Sequence, residues 1–193
     1  MDFSDERVIE LRKSQMKEEY CDIKTGFFID GKVVKFEEQI IYQEKMSILL
    51  PEGFITMPKK IAKIKYPSEC RPQVIKTDDT GMVNMAFNLF DRNILPQQIK
   101  GATNTLKKGI RNMYPANIFF EEKTMELGNT ICSWFDYKSY AMDGAIYNLL
   151  YVTSIGGKVL QGTFNCRFEE MDQWREAVIQ MIKSITDLTK KEV

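Results

Sequence analysis

The sequence predicts an α+β fold, a mostly antiparallel twisted sheet flanked by amphipathic helices. Three observations carry that reading. Asp30-Gly31 and Gly156-Gly157 stand between β-rich runs as tight hairpin turns, and hairpins join antiparallel neighbours. Val83, Met85, Phe87 and Leu89 alternate with Asn84, Ala86 and Asn88, the period of a strand with one face in a core. Two segments, one after Pro96 and one from Glu169 to Leu188, repeat apolar residues at spacings of three and four. That is the stripe of a helix laid on a sheet.

The chain opens on a highly charged stretch, Ser4 to Tyr20, whose apolar points after Phe3 are Val8, Ile9, Leu11 and Met16. Ser4 is placed to cap it. So narrow a stripe reads as a solvated peripheral helix or arm over residues 1–20, with a partner-binding helix as the functional alternative. Residues 21–193 read as one α+β domain. Gly26 to Val34 forms the first hairpin, its second arm running on toward Ile40, Ile41 and Tyr42. Met46 to Leu50 is a short strand stopped by Pro51, and Pro51-Glu52-Gly53 is a turn.

Pro58 suits the first turn of a short helix, Lys59 to Lys63, ending before Tyr66-Pro67. Lys59, Lys60, Lys63 and Lys65 make a basic patch with only Tyr66 as aromatic company, which a solvated helix face explains better than nucleic acid. Asp78-Asp79-Thr80-Gly81 joins the next two strands. Its adjacent carboxylates lack the further ligands of a calcium loop and read as a turn.

The helix after Pro96 aligns Ile99, Ala102, Leu106, Ile110 and Met113 on one face, with Pro115 as its stop. Four strands follow: Asn117 to Thr124, Thr130 to Tyr137, Ala145 to Thr153 and Val159 to Arg167. Ala145 to Thr153 is apolar at nearly every position, as a strand covered on both faces should be. The closing helix presents Met171, Trp174, Val178, Met181, Ile182 and Ile185 on one side, as a cover over the sheet.

Composition narrows the function. The chain has 193 residues, 44% hydrophobic and 28% charged, with 27 basic against 27 acidic side chains. A balanced charge gives no overall field to draw nucleic acid or an anionic membrane. Its four cysteines are scattered, none closer than the 34 positions between Cys132 and Cys166, so there is no zinc or redox CxxC pair. With no signal-peptide pattern and no apolar run of membrane length, the expected location is cytoplasmic. There is no histidine. That removes Ser-His-Asp and Cys-His catalysis and histidine-bound metals, and leans the reading away from an enzyme. Walker A, GxGxxG and GxSxG patterns are also missing, so no catalytic, cofactor or metal residues are assigned.

One constellation remains. Asp136 lies in the run Trp134-Phe135-Asp136-Tyr137, and Trp134, Tyr137, Tyr140, Tyr147 and Tyr151 are placed to line a pocket between sheet and helix. The candidate pocket residues are Trp134, Asp136, Tyr137, Tyr147 and Tyr151. The bland alternative is a solvated strand-end carboxylate beside core aromatics with hydroxyls at the rim. Eleven methionines suit adaptable peptide binding and ordinary gap filling alike.

The phrase Met46-Ser47-Ile48-Leu49-Leu50-Pro51-Glu52-Gly53-Phe54 resembles the strand-proline-turn opening of the Mog1/PsbP-like and DcrB-like proteins. The strand from Val83, the helix after Pro96, the strand from Val159 and the closing helix resemble the remainder of that α/β/α sandwich. The resemblance spans about residues 46–185 and carries over no functional residue. It implies a non-enzymatic role, since the superfamily includes a Ran-binding factor, a photosystem extrinsic subunit and bacterial chaperones. The expected function is therefore a non-catalytic cytosolic protein-binding module, adaptor or chaperone-like, with a protein partner and no cofactor. It would work through an exposed sheet face or the hairpin edge. The alternative is a small-molecule or lipid-binding domain, or a weak carboxylate-dependent enzyme, built on the aromatic-lined pocket.

Overall fold

The computed structural model describes residues 3–142 and 144–189. Its centre is a seven-stranded sheet in which each pairing of neighbours is antiparallel. In chain order these strands are β6 (Ile55–Thr56), β7 (Val74–Thr77), β8 (Asn84–Asn93), β9 (Ile118–Leu127), β10 (Thr130–Ala141), β11 (Gly144–Ile155) and β12 (Lys158–Arg167). Across the sheet they run β6-β7-β8-β12-β11-β10-β9. The alternation expected around Val83 holds: Met85 and Phe87 are fully buried on one face, and Ala86 packs on the other. Burial on both faces of β11 also follows the apolar run there.

Six further strands make two small sheets. β1 (Cys21–Asp22), β2 (Gly26–Ile29) and β3 (Lys32–Val34) form one. Asp30 and Gly31, at φ 48° and 74°, supply the two left-handed positions that a two-residue turn needs. β4 (Phe36–Ile41) and β5 (Met46–Pro51) form the other, with β13 (Thr186–Asp187) on its edge. The hairpin arm therefore does not run on to Tyr42, as the sequence suggested. It breaks at Lys35, and β4 leaves to pair with β5, where Ile41 faces Met46.

The closing helix, α4 (Met171–Lys183), is shorter than the expected Glu169 to Leu188. A single turn of 3-10 helix, Phe168–Glu170, leads into it. Beyond it, Thr186 pairs with Ser47 and Asp187 with Met46. The Ser184 hydroxyl donates to the Met181 carbonyl and accepts from the Leu49 amide, ending the helix where β5 needs a partner. Trp174, Ala177, Val178, Met181 and Ile182 are buried, and Val178, Met181 and Ile182 each contribute about 1.5–3 kcal/mol if fully removed from water. Trp174 packs on Phe164, ring centroids 5.5 Å apart.

Three other helices complete the chain. α1 (Phe3–Glu19) begins one residue ahead of the expected Ser4 cap and exposes Val8, Ile9 and Leu11. α2 (Lys59–Lys65) buries Ala62 and exposes Ile61 and Ile64. α3 (Pro96–Met113) lies on the sheet face opposite α4, with Ile99 fully buried against a cluster of Phe135, Leu150 and Val152. Met113, placed on its stripe by spacing, is the last residue of the helix and is instead 67% exposed. The layers are thus α4 with the small sheets, the main sheet, then α3 and α2. The fold is α+β, as predicted.

Candidate functional site

The residues singled out from the sequence do not line one pocket. Trp134, Asp136, Tyr147 and Tyr151 are at most 1% exposed, inside the core between the sheet and α4. Tyr137 points through the opposite face and stacks on Phe119 at 5.3 Å, its hydroxyl pushed up to about 12 by burial. Strand alternation forces that split, since neighbours on β10 face opposite sides.

Asp136 nevertheless has an unusual setting. Opposite it β9 carries an extra residue: Phe135 faces Glu122 and Tyr137 faces Phe119, so Phe120 and Glu121 both stand against Asp136. Such a bulge costs a ladder hydrogen bond. The Glu121 amide donates instead to Asp136 Oδ1 at 2.7 Å. Asp136 Oδ2 accepts from the Tyr147 hydroxyl at 3.0 Å and from Arg175 Nε at 2.8 Å. Arg175 Nη2 also donates to Glu121 Oε2 at 2.6 Å. Burial works against the Arg175 charge, but Asp136, Tyr147 and Glu121 outweigh it and raise its pKa. Burial, then Asp136, raises the Tyr147 phenol. With both oxygens occupied and no exposed surface, this carboxylate fastens α4 to a bulged strand and has no opening to a substrate.

The open site lies on the other face. α3 covers β10 and β11, and α2 covers β7 and Ala86, leaving part of β8 and β12 between them. Asn88, Gln161 and Thr163 are half-buried there, and Phe90 is 42% exposed. A second irregularity shapes this face. Leu89 pairs with Leu160 and Asn93 with Lys158, so three residues, Phe90, Asp91 and Arg92, stand against Val159 alone. The excess chain bows β8 outward and opens a cavity of about 720 Å³ against α3. Phe90, Ala102, Leu106, Val152 and Val159 give it an apolar lining, and Gln98 and Gln161 supply polar groups. Lys158 Nζ holds Asp91 Oδ1 at 2.7 Å across the rim, keeping the Asp91 carboxyl below the ordinary range. No spacing rule marked this site, because bulge residues break the alternation by which strands are read.

Other sequence candidates resolve simply. Asp78 is a turn residue: its Oδ1 accepts from the Val83 amide at 2.9 Å, and the Thr80 hydroxyl donates to its other oxygen. Lys59, Lys60 and Lys63 line the exposed side of α2. Among the described residues, no group of three or more histidine, cysteine, aspartate or glutamate side chains is placed to hold a metal. No helix among them is long and apolar enough to cross a membrane.

No protein-family model matches the sequence, and no curated protein matches it either. Solved structures are similar to it in fold at low identity. The cyanobacterial PsbP, CyanoP, from Synechocystis gives a TM-score of 0.57 at 13% identity, over 82% of this chain and 95% of that one. A protein from Bacteroides thetaiotaomicron gives 0.54 at 12%, over 81% of this chain and 49% of that one. LpqN, involved in cell envelope biogenesis of Mycobacterium tuberculosis, gives 0.50 at 13%, over 82% and 94%. Together with the layer order, these likenesses show that the chain has the Mog1/PsbP-like fold.

Proposed function

We propose that this protein is a non-catalytic binding module that takes another protein on the open sheet face between α2 and α3. The observation that supports this most is the three-against-one bulge at Phe90–Arg92, which holds an exposed aromatic over an apolar cavity. Bulges recur where a sheet re-aims a side chain for function, and aromatic anchors beside apolar hollows dominate protein interfaces. The buried carboxylate at Asp136 is committed to structure, which leaves the bulge face as the better-supported working surface. The cavity also has the size of a small-molecule site, so an apolar ligand is the second reading. The working location is the cytosol, in keeping with four unpaired cysteines.

The test is a quantitative pull-down with wild type and Phe90→Glu, from the organism's own lysate. A protein retained by wild type and lost by Phe90→Glu supports the reading. Identical retained sets contradict it.

A further inference from the structure

The helices beside the open face are charged in one sense only. α2 carries Lys59, Lys60, Lys63 and Lys65, and no aspartate or glutamate. α3 carries Lys100, Lys107, Lys108 and Arg111, again with no acidic residue. The whole chain balances 27 basic against 27 acidic side chains, so the excess is local. Some of these cations are already engaged. Lys65 donates to the Gly81 carbonyl, Lys107 pairs with Glu122, and Arg111 lies over the Phe119 ring. Lys59, Lys60, Lys63 and Lys108 are exposed and make no ion pair or hydrogen bond among the described residues.

The cavity itself repeats the imbalance. Arg92 lines it two residues after Phe90, and its guanidinium has no ion pair or hydrogen bond among the described residues. The single carboxylate in the lining is Asp91, which Lys158 already holds, with Lys45 adding to the positive field on it. Arg92 is thus left without a counter-charge beside apolar walls. A guanidinium in that position matches a carboxylate, which it can take through two parallel hydrogen bonds. Gln161, half-buried in the same lining, also has an unbonded side-chain amide among the described residues.

Acidic polypeptide, nucleic acid and anionic membrane all answer a positive surface, and the cavity decides between them. It lies in the angle between α3 and the sheet, with Ala102 and Leu106 on one wall and Val152 and Val159 on the other. A single side chain reaches into that angle, and a flat bilayer does not. Aliphatic walls with one exposed ring, Phe90, also fall short of the successive stacking platforms that hold single-stranded nucleic acid. An aliphatic side chain next to a carboxylate satisfies both the walls and Arg92.

We propose that the open face binds an acidic, leucine-bearing segment of a partner protein. Its aliphatic side chain fills the cavity, a neighbouring carboxylate meets Arg92, and further carboxylates lie in the field of the α2 and α3 lysines. This rests on the bulge-face reading and names the chemistry of the partner.

The test is a fluorescence anisotropy titration of the full chain against a labelled synthetic peptide of alternating leucine and glutamate. Leucine–lysine and serine–glutamate peptides, an oligothymidine strand and phosphatidylserine–phosphatidylcholine vesicles serve as comparators. The leucine–glutamate peptide should bind saturably and lose about tenfold in affinity between about 0.05 M and about 0.5 M salt. Arg92→Gln should weaken it about three- to tenfold, and Lys63→Gln with Lys108→Gln about two- to threefold. Urea midpoints of these variants should match wild type, because the replaced side chains are exposed and unpaired. Each comparator should bind more weakly than the leucine–glutamate peptide. The proposal is overturned by no saturable binding, by an affinity that ignores salt or Arg92→Gln, or by equal binding of any comparator. A lysate protein lost by Phe90→Glu but kept by Arg92→Gln and by the lysine variant would also overturn it, while leaving the bulge-face reading standing.

Discussion

Arg175 Nε donates to Asp136 Oδ2 at 2.8 Å, joining the helix α4 to a carboxylate that has no exposed surface. Asp136 in turn takes the amide that the β9 bulge leaves without a ladder partner. The two ends of this contact are not equivalent. The Arg175 side chain is 31% exposed and can turn to water, whereas Asp136 cannot. Arg175→Ala therefore strands a buried charge and should cost about 3–5 kcal/mol. Asp136→Asn should cost less, because the freed guanidinium is solvated. Urea unfolding midpoints measure both, and a reversed order would contradict the assignment.

Two buried tyrosines should respond in opposite ways. The Tyr147 hydroxyl donates to a charged partner, Asp136, so Tyr147→Phe should lose about 1.5–3 kcal/mol. The Tyr151 hydroxyl is buried with no partner. Tyr151→Phe should be neutral or stabilising by up to about 1 kcal/mol, which thermal denaturation resolves directly.

Gly162 exists to admit that same ring. It faces Tyr151 across the β11–β12 ladder, and a Cβ at this position would lie 2.0 Å from the Tyr151 Cζ. Gly162→Ala should destabilise by about 1–3 kcal/mol or more by overpacking. In a Tyr151→Ala background the added methyl has room, so a double-mutant cycle should show strong coupling between the two changes.

Stability should fall at both ends of the pH range. Lys123, and then Arg175, hold the Glu121 carboxyl below its ordinary value, as Lys107 does for Glu122. A depressed carboxylate contributes stability above its unfolded value of 4.5, lost as pH drops through the folded one. At the alkaline end, burial raises Tyr137, Tyr147 and Tyr151 above 10.0. Their contribution is complete below that value and is lost as pH climbs through the folded pKa values. Glu121→Gln with Glu122→Gln should flatten the acid limb alone, and Tyr151→Phe the alkaline limb alone, in denaturation midpoints taken across pH.

The cysteines should separate into two classes. Cys21 and Cys70 are exposed, while burial pushes the thiols of Cys132 and Cys166 up. A thiol reagent should label the first two rapidly in the folded protein and reach the others only at the rate of unfolding.

The legible parts of this fold were those fixed by local chemistry. Asp30-Gly31 specifies its turn because both positions must be left-handed, and the Ile99–Leu106 stripe specifies its helix because the spacing leaves one apolar face. Long-range pairing was not legible. Nothing near Lys35 states that β4 will leave β3 for β5, and Thr186 becomes a strand only because β5 offers it an edge. The candidate site was harder still. Trp134, Asp136, Tyr147 and Tyr151 do gather on one face, as their strand positions allow, but the sequence does not show that Arg175 bonds Asp136 and lies over the Trp134 ring. The open cavity comes from extra residues at Phe90–Arg92, and a register shift of that kind is a property of two strands together.

The central claim is that the sheet face at the β8 bulge receives a protein partner. Photo-crosslinking in cells tests it most directly, with a photoreactive phenylalanine at position 90 and, as the control, at the more exposed Tyr114 just past the end of α3. The account predicts a discrete adduct with one protein from position 90 that is missing from position 114. No adduct from position 90, or the same adducts from both positions, would contradict it.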